Sequence, residues 1–463
     1  MADVVNILFC CEFYAPSVGG IQEVMRQVAE RLVSRGHDVT VATSHLPFRT
    51  FTQLNGVRIV GFDVSGSYVK GLNGDVTHYQ RFVSTGSFDV VLINMAQQWT
   101  LDALIPVLGK IPYRKVLIPC GFSCFYEPSY KTYFRQMPDV LRQFDHLIFH
   151  ASEYRDISFV KQCGLEQFSI IPNGASETEF AQKKDPAFRK RLGISDQERL
   201  FLTVGAFTAD KGYADLLQSY LTCDFGKQAS VLLLNANAYI AEPPQRNSAV
   251  STTSSELLTH HHTRISAESR PNETTIRAIL SQTYRGLLGF ITGHKPDQNP
   301  PPFRDEIQSL LKQLNQPGTN KRVMVTDLPR PALVQAYLNA DLFVFASRIE
   351  YSPLVLFEAA AAGTPFLSAQ VGNAQEIAEW TGGGIIGPSL IDTRGYTRID
   401  ATRFAEQWVQ LINDEERRRE LGQNGRRNWA TRFTWERIAQ QYENRLQQVC
   451  TAPAVMSEAI RNC

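Results

Sequence analysis

An apolar run of strand length, a short loop and a helix with one apolar face recur along this chain in two separate series. In the first, Ile7 to Phe13 reads as a buried strand and Tyr14 to Gly20 as a loop. Ile21, Val24, Met25, Val28 and Leu32 then mark one face of a helix at a 3.6-residue period. Gly36 suits the helix stop, and Asp38 to Thr43 supplies the next strand. Arg58 to Phe62, Asp89 to Asn94 and Lys115 to Pro119 continue the series. The second series opens at Leu200 to Gly205, with a helix from Tyr213 and strands at Ser230 to Asn235, Arg322 to Thr326 and Leu342 to Ala346. Strands that alternate with helices argue for a parallel, doubly wound α/β sheet, whose ligands bind outside the carboxyl ends of the strands. Two series predict two such Rossmann-like domains facing each other across a cleft.

The expected boundaries are 1–172 for an N-terminal domain, 173–432 for a C-terminal domain and 433–463 for a helix and tail that cross back to the first domain. Ile170-Ile171-Pro172-Asn173-Gly174 reads as the hinge between the halves. A segment of about 240–302 interrupts the second series; it carries a Ser/Thr run, His260-His261-His262 and Pro300-Pro301-Pro302. It reads as a polar insertion with a candidate amphipathic helix near Ile276 to Leu288. The three consecutive histidines would point in different directions on a helix or a strand, so no metal site is expected there.

Composition narrows the class. With 463 residues, 43% hydrophobic and 20% charged, the chain can bury a core in each domain. A net charge of +1 gives no global attraction to nucleic acid, so an anionic ligand must be met by local groups. No apolar run reaches the roughly 18 residues that cross a bilayer. The N-terminal residues lack a basic n-region and a small-residue cleavage site. Eight scattered cysteines without a CxxC pair suggest reduced thiols, and the expected location is cytoplasmic.

The chemistry concentrates between Ala340 and Pro365. A strand is followed by a loop bearing Glu350 and a helix, opened by Pro353, that bears Glu358. Proline suits the first helical position, where its missing N–H costs nothing. The amides of Leu354 and Val355 would point out of the helix tip, where an anion is favoured. Pro353 to Glu358 spans about 7.5 Å of helix rise, enough for the two acids to hold different parts of one long ligand. A diphosphate between two hydroxyl-bearing sugars fits that spacing; two solvated glutamates on an ordinary helix fit the residues equally well.

Glu350 to Glu358 matches the Glu-x7-Glu motif of the retaining glycosyltransferases of family 4 (group 1). The surrounding Ser347, Pro353-Leu354-Val355, Glu358-Ala359 and Ala362-Gly363-Thr364-Pro365 resemble them too. So does Tyr14-Ala15-Pro16-Ser17-Val18-Gly19-Gly20, which in that family lies at the donor phosphates and acceptor. The resemblance spans Ile7 to about Leu446, apart from the insertion. It implies a GT-B fold and a metal-independent transferase needing no cofactor, with a nucleotide-sugar as co-substrate bound by the C-terminal domain and the acceptor bound by the N-terminal domain. It also implies that Glu350 meets the sugar hydroxyls, Glu358 the ribose, and Lys211 with the Leu354 and Val355 amides the diphosphate. Gly19 and Gly20 would approach the donor, and Leu328 would sit by the nucleotide base. Catalytic weight would rest on Glu350 and Lys211.

Two positions depart from the family. Where its members carry Arg-x4-Lys, this chain has Ala206 and Lys211; Arg348, two residues before Glu350, is a candidate replacement cation. Cys120-Gly121 stands where many members have histidine before glycine at the acceptor side, and a thiol cannot supply the same hydrogen bonds. A non-catalytic sugar-nucleotide-binding homologue and a sugar-nucleotide epimerase therefore stay open beside a transferase acting on a glycan or lipid-linked acceptor in polysaccharide or glycoconjugate biosynthesis. Tyr126 to Phe144 interleaves aromatic and basic residues, which suits a peripheral membrane contact or a partly exposed helix.

Overall fold

The computed structural model describes residues 4–237 and 301–452. Its first half contains β1 (Asn6–Cys10), β2 (Asp38–Ser44), β3 (Gln53–Leu54), β4 (Val57–Phe62), β5 (Val64–Ser67), β6 (Gly71–Gly74), β7 (Val90–Asn94), β8 (Arg114–Ile118), β9 (His146–Phe149) and β10 (Phe168–Ile170). Eight of these form one sheet in the order β10-β9-β8-β7-β1-β2-β4-β3, parallel except for β3. β5 and β6 pair as a separate hairpin. Each central strand is apolar on both sides, as a sheet covered on both faces requires. One face buries Trp99, Tyr79, Phe122 and Phe134; the other buries Met25, Val28 and Leu32 of the helix Gly20–Ser34.

In the second half, β11 (Arg199–Ala206), β12 (Ser230–Asn237), β13 (Lys321–Thr326), β14 (Leu342–Phe345), β15 (Phe366–Ser368) and β16 (Gly384–Ile386) make a six-stranded parallel sheet in the order β13-β12-β11-β14-β15-β16. A small hairpin, β17 (Ser389–Ile391) and β18 (Thr397–Ile399), lies beside it. The final helix, Trp435–Thr451, returns to the first half. Its Trp435, Ile438, Tyr442 and Leu446 share a core with β1 and the helix Gly20–Ser34. Arg35 of that helix fixes the register by pairing with Glu436 at 2.6 Å and Glu443 at 2.8 Å.

Three expectations need correction. The first strand ends at Cys10, not Phe13: Cys11 still donates to the Ala42 carbonyl at 3.1 Å, and the chain then leaves the ladder along the sheet's carboxyl edge. Pro301 and Pro302 open a helix, Pro301–Leu314, because proline costs little in a first helical turn; the rest of the expected insertion, with its histidines, lies outside the described residues. The aromatic residues of 126–144 are mostly core: Tyr130, Tyr133, Phe134 and Phe144 are buried, and Tyr126 alone is exposed. The helix Lys131–Leu141 turns its Tyr133 and Phe134 inward. No helix among the described residues is long and apolar enough to cross a bilayer.

Candidate functional site

The helix Leu354–Ala362 is apolar nearly all round, so it is held by burial rather than by one amphipathic face. Its alanines allow close backing: a Cβ on Gly425 of the helix Glu415–Arg432 would lie 3.3 Å from the Ala360 Cα. Pro353 stands at the N-cap, one position earlier than expected, and no side chain caps this end. The amides of Leu354 and Val355, in the first turn, have no carbonyl within the helix to bond. The helix tip reaches the first domain. Leu354 packs against the core that contains Tyr14 and Ala15, and a Cβ on Gly20 would sit 3.9 Å from its Cδ1.

Lys211 arrives by a separate route. Gly212, with φ of +67°, caps the helix Tyr213–Thr222, and a Cβ there would lie 1.9 Å from the Ala346 carbonyl oxygen. A residue with a side chain could not bring the Lys211 loop so close to the end of β14. From that loop the Lys211 Nζ lies 2.5 Å from Glu350 Oε1, and the Ser347 hydroxyl donates to the same oxygen at 2.8 Å. Glu358, one turn along its helix, accepts Arg330 Nη2 at 2.6 Å. Arg330 also holds Glu179 at 2.8 Å and lies over the Phe180 ring. Burial alone would lower the Arg330 pKa, but the Glu358 and Glu179 carboxylates outweigh it and raise it. Sequence reading missed Arg330, because a surface arginine at the start of a helix carries no signal until the fold brings three segments together. The Leu328 amide donates to the buried Asn235 Oδ1 at 2.7 Å, which fixes the loop after β13.

Arg348 is a correction. Its guanidinium is engaged by Asp215 at 2.8 and 2.9 Å, and Arg398 shares that carboxylate at 3.0 Å. Two arginines on one acid leave it facing the Tyr213–Thr222 helix instead of Glu350.

The loop after Glu350 is fastened to the first domain and to the hinge. Tyr154 donates to the Glu350 carbonyl at 2.7 Å, the His150 amide donates to the Tyr351 hydroxyl at 3.0 Å, and the Asn173 amide group donates to the Ser352 carbonyl at 3.0 Å. Glu376 accepts the Ser152 amide at 2.9 Å. Gly121, with φ of +86°, lies against the Tyr351 ring, which a Cβ would meet at 3.0 Å. Asp156 accepts the Gly121 amide at 2.7 Å; burial raises its pKa to about 6 despite that bond. Burial also raises the Cys120 thiol, with Asp156 adding to the effect, which disfavours the thiolate.

Residues 302–428 match the family described as Glycosyl transferases group 1, and residues 19–174 match the Glycosyl transferase 4-like domain. The chain belongs to the group 1, family 4 glycosyltransferases. N-acetyl-alpha-D-glucosaminyl L-malate synthase of Bacillus anthracis is 21% identical over 92% of this glycosyltransferase and 93% of its own length. A D-inositol 3-phosphate glycosyltransferase of Corynebacterium efficiens is 33% identical over 29% of this chain and 30% of its own. Sucrose-phosphate synthase from Thermosynechococcus elongatus superposes with a TM-score of 0.64 at 18% identity, covering 97% of this chain and 100% of that one. Anabaena HepE, crystallised with UDP and glucose, gives 0.61 at 16% identity, over 96% and 100%. The fold of this glycosyltransferase is GT-B.

Proposed function

We propose that this glycosyltransferase moves a sugar from a nucleotide-sugar to an acceptor hydroxyl with retention of anomeric configuration, and that protein groups rather than a metal neutralise the departing diphosphate. One observation carries the reading. The Lys211 ammonium group meets the Glu350 carboxylate at 2.5 Å, and four residues further on an uncapped helix tip begins at Leu354, whose side chain lies by Gly20 of the opposite domain. Lys211 and the Leu354 and Val355 amides would take the diphosphate, where preorganised charge acts most strongly as the leaving group forms. Glu350 would hold sugar hydroxyls and Glu358, steadied by Arg330, the ribose. HepE, which shares the fold, was crystallised with UDP and glucose, and this supports a nucleotide-sugar donor.

The acceptor hydroxyl would attack from the side the diphosphate leaves, its proton passing to a phosphate oxygen as the new C–O bond forms. A glycan or lipid-linked glycan in glycoconjugate biosynthesis is the acceptor class proposed, with the protein acting in the cytoplasm. Lys211 already stands at Glu350, so the site keeps a cation despite Ala206, and this favours an active enzyme over a non-catalytic homologue. Incubation with a panel of nucleotide-sugars in EDTA, with and without acceptors, should release a nucleoside diphosphate. Proton NMR of the product reads the anomeric configuration. No release with any donor, or an inverted product, refutes the assignment.

A further inference from the structure

Three successive main-chain carbonyls, those of Glu350, Tyr351 and Ser352, each accept a hydrogen bond from a different segment. The donors are the Tyr154 hydroxyl of the first domain at 2.7 Å, the Asn373 amide of the second at 2.9 Å and the Asn173 amide group of the hinge at 3.0 Å. A surface loop ordinarily leaves such groups to water, so three in a row engaged by protein hold this one to a single path. Gly372, with φ of +54°, permits the close backing: a Cβ there would lie 2.4 Å from the Tyr351 carbonyl oxygen and 3.0 Å from that of Glu350.

The side chains add to this hold. Tyr351 reaches into the first domain, where its hydroxyl accepts the His150 amide at 3.0 Å and donates to the Asp156 carboxylate. Asp156 is itself anchored by the Gly121 and Ile157 amides at 2.7 and 2.8 Å. The Tyr154 ring lies beside that of Tyr351, with centres 5.1 Å apart, and Arg155 donates to the Tyr154 hydroxyl at 2.8 Å. Each phenol oxygen therefore accepts one hydrogen bond and donates another. The Glu350 carboxylate is held from the other side, by Lys211 at 2.5 Å and Ser347 at 2.8 Å, both of the second domain. One residue is thus gripped through its main chain by the first domain and through its side chain by the second.

We infer that Tyr154 and Tyr351 are positioning residues for Glu350: through their two hydroxyls the first domain sets where this carboxylate stands over the donor. The inference rests on the transferase reading above and on the place of Glu350 at the transferred sugar. Neither phenol need touch a substrate; both act through the loop that carries the acid. Groups that meet a transition state must be placed to a fraction of an ångström, and an error of about 1 Å can cost roughly 100-fold in rate. A phenyl ring in either place would keep the packing and lose the hydrogen bonds.

Tyr154→Phe and Tyr351→Phe provide the test. With whichever donor is consumed, each should lower kcat about 10–100-fold. Nucleoside diphosphate affinity, which concerns the part of the donor that Glu350 does not hold, should stay within twofold by calorimetric titration. Arg35→Ala supplies the comparison for general loosening: it removes the ties to Glu436 and Glu443 on the returning helix, and should lower Tm while leaving kcat within threefold. An unchanged kcat in either phenylalanine variant, or an equal loss in Arg35→Ala, overturns the proposal. Hydrogen exchange gives a reading that needs no turnover. The Asn373 amide, which donates to the Tyr351 carbonyl, should exchange about tenfold faster in both phenylalanine variants; unchanged exchange overturns the proposal as well. Where one variant does not fold, the other decides. If the unaltered protein consumes no donor, it is the transferase assignment that fails, and exchange alone then decides whether the two hydroxyls hold the loop.

Discussion

Replacing Glu358 with alanine isolates the donor site more cleanly than any other single change. Its carboxylate is 12% exposed and held by Arg330 at 2.6 Å, so the acid is oriented before a ligand arrives. Hydrogen bonds to a charged group contribute about 1.5–3 kcal/mol, so losing the ribose contact should weaken nucleoside diphosphate binding roughly 10–150-fold. Stability should change by only about 1 kcal/mol, because Arg330 is 39% exposed and keeps Glu179 as a partner. Calorimetric titration with the tightest-binding nucleoside diphosphate measures the first quantity, and thermal denaturation the second. If Arg330 acts by orienting Glu358, Arg330→Ala should reproduce part of the affinity loss, and the double variant should lose less than the sum. An affinity within twofold of the unaltered protein in a folded Glu358→Ala variant refutes the ribose assignment; strict additivity refutes the orienting role of Arg330.

Lys211→Ala should lower kcat about 100–1000-fold, the scale for losing one preorganised charge at a leaving group, with a smaller change in donor KM; an unchanged kcat removes Lys211 from the reaction. Arg348→Ala should alter nucleotide affinity less than about threefold, since Asp215 already engages that guanidinium; a loss above tenfold restores it as a donor cation. Gly121→Ala adds left-handed strain and a 3.0 Å approach to Tyr351, and should cost about 1–3 kcal/mol, read as a lowered Tm; an unchanged Tm contradicts the packing described. His150 donates through Nδ1 to the Ile171 carbonyl at 2.8 Å, and burial lowers its pKa to about 4. The unfolded chain takes up its proton near pH 6.5 and the folded one does not, so stability present above 6.5 is lost as pH falls towards 4, by roughly 3 kcal/mol. Asp156, raised to about 6, works in the opposite direction, losing stability as pH rises from 3.8 to 6. Denaturant titrations from pH 4.5 to 7 should therefore show a less steep acid loss in His150→Asn than in the unaltered protein; identical slopes refute the assignment to His150.

The β-α alternation settled the doubly wound class from the sequence alone, because a fully covered parallel sheet demands continuous apolar strands and a helix between each pair. Resemblance to the family's motifs, rather than local pattern, singled out Glu350, Glu358 and Lys211; the structure brings the Lys211 ammonium group 2.5 Å from Glu350, and their roles are those proposed above. Tertiary structure decided the partners. Arg330 meets Glu358 only because the segments around residues 179, 330 and 358 fold together, and Arg348 is drawn off by Asp215 from a different helix. Period and propensity act over a few residues, whereas the pairing of these charges is set by contacts between segments from 28 to more than a hundred residues apart.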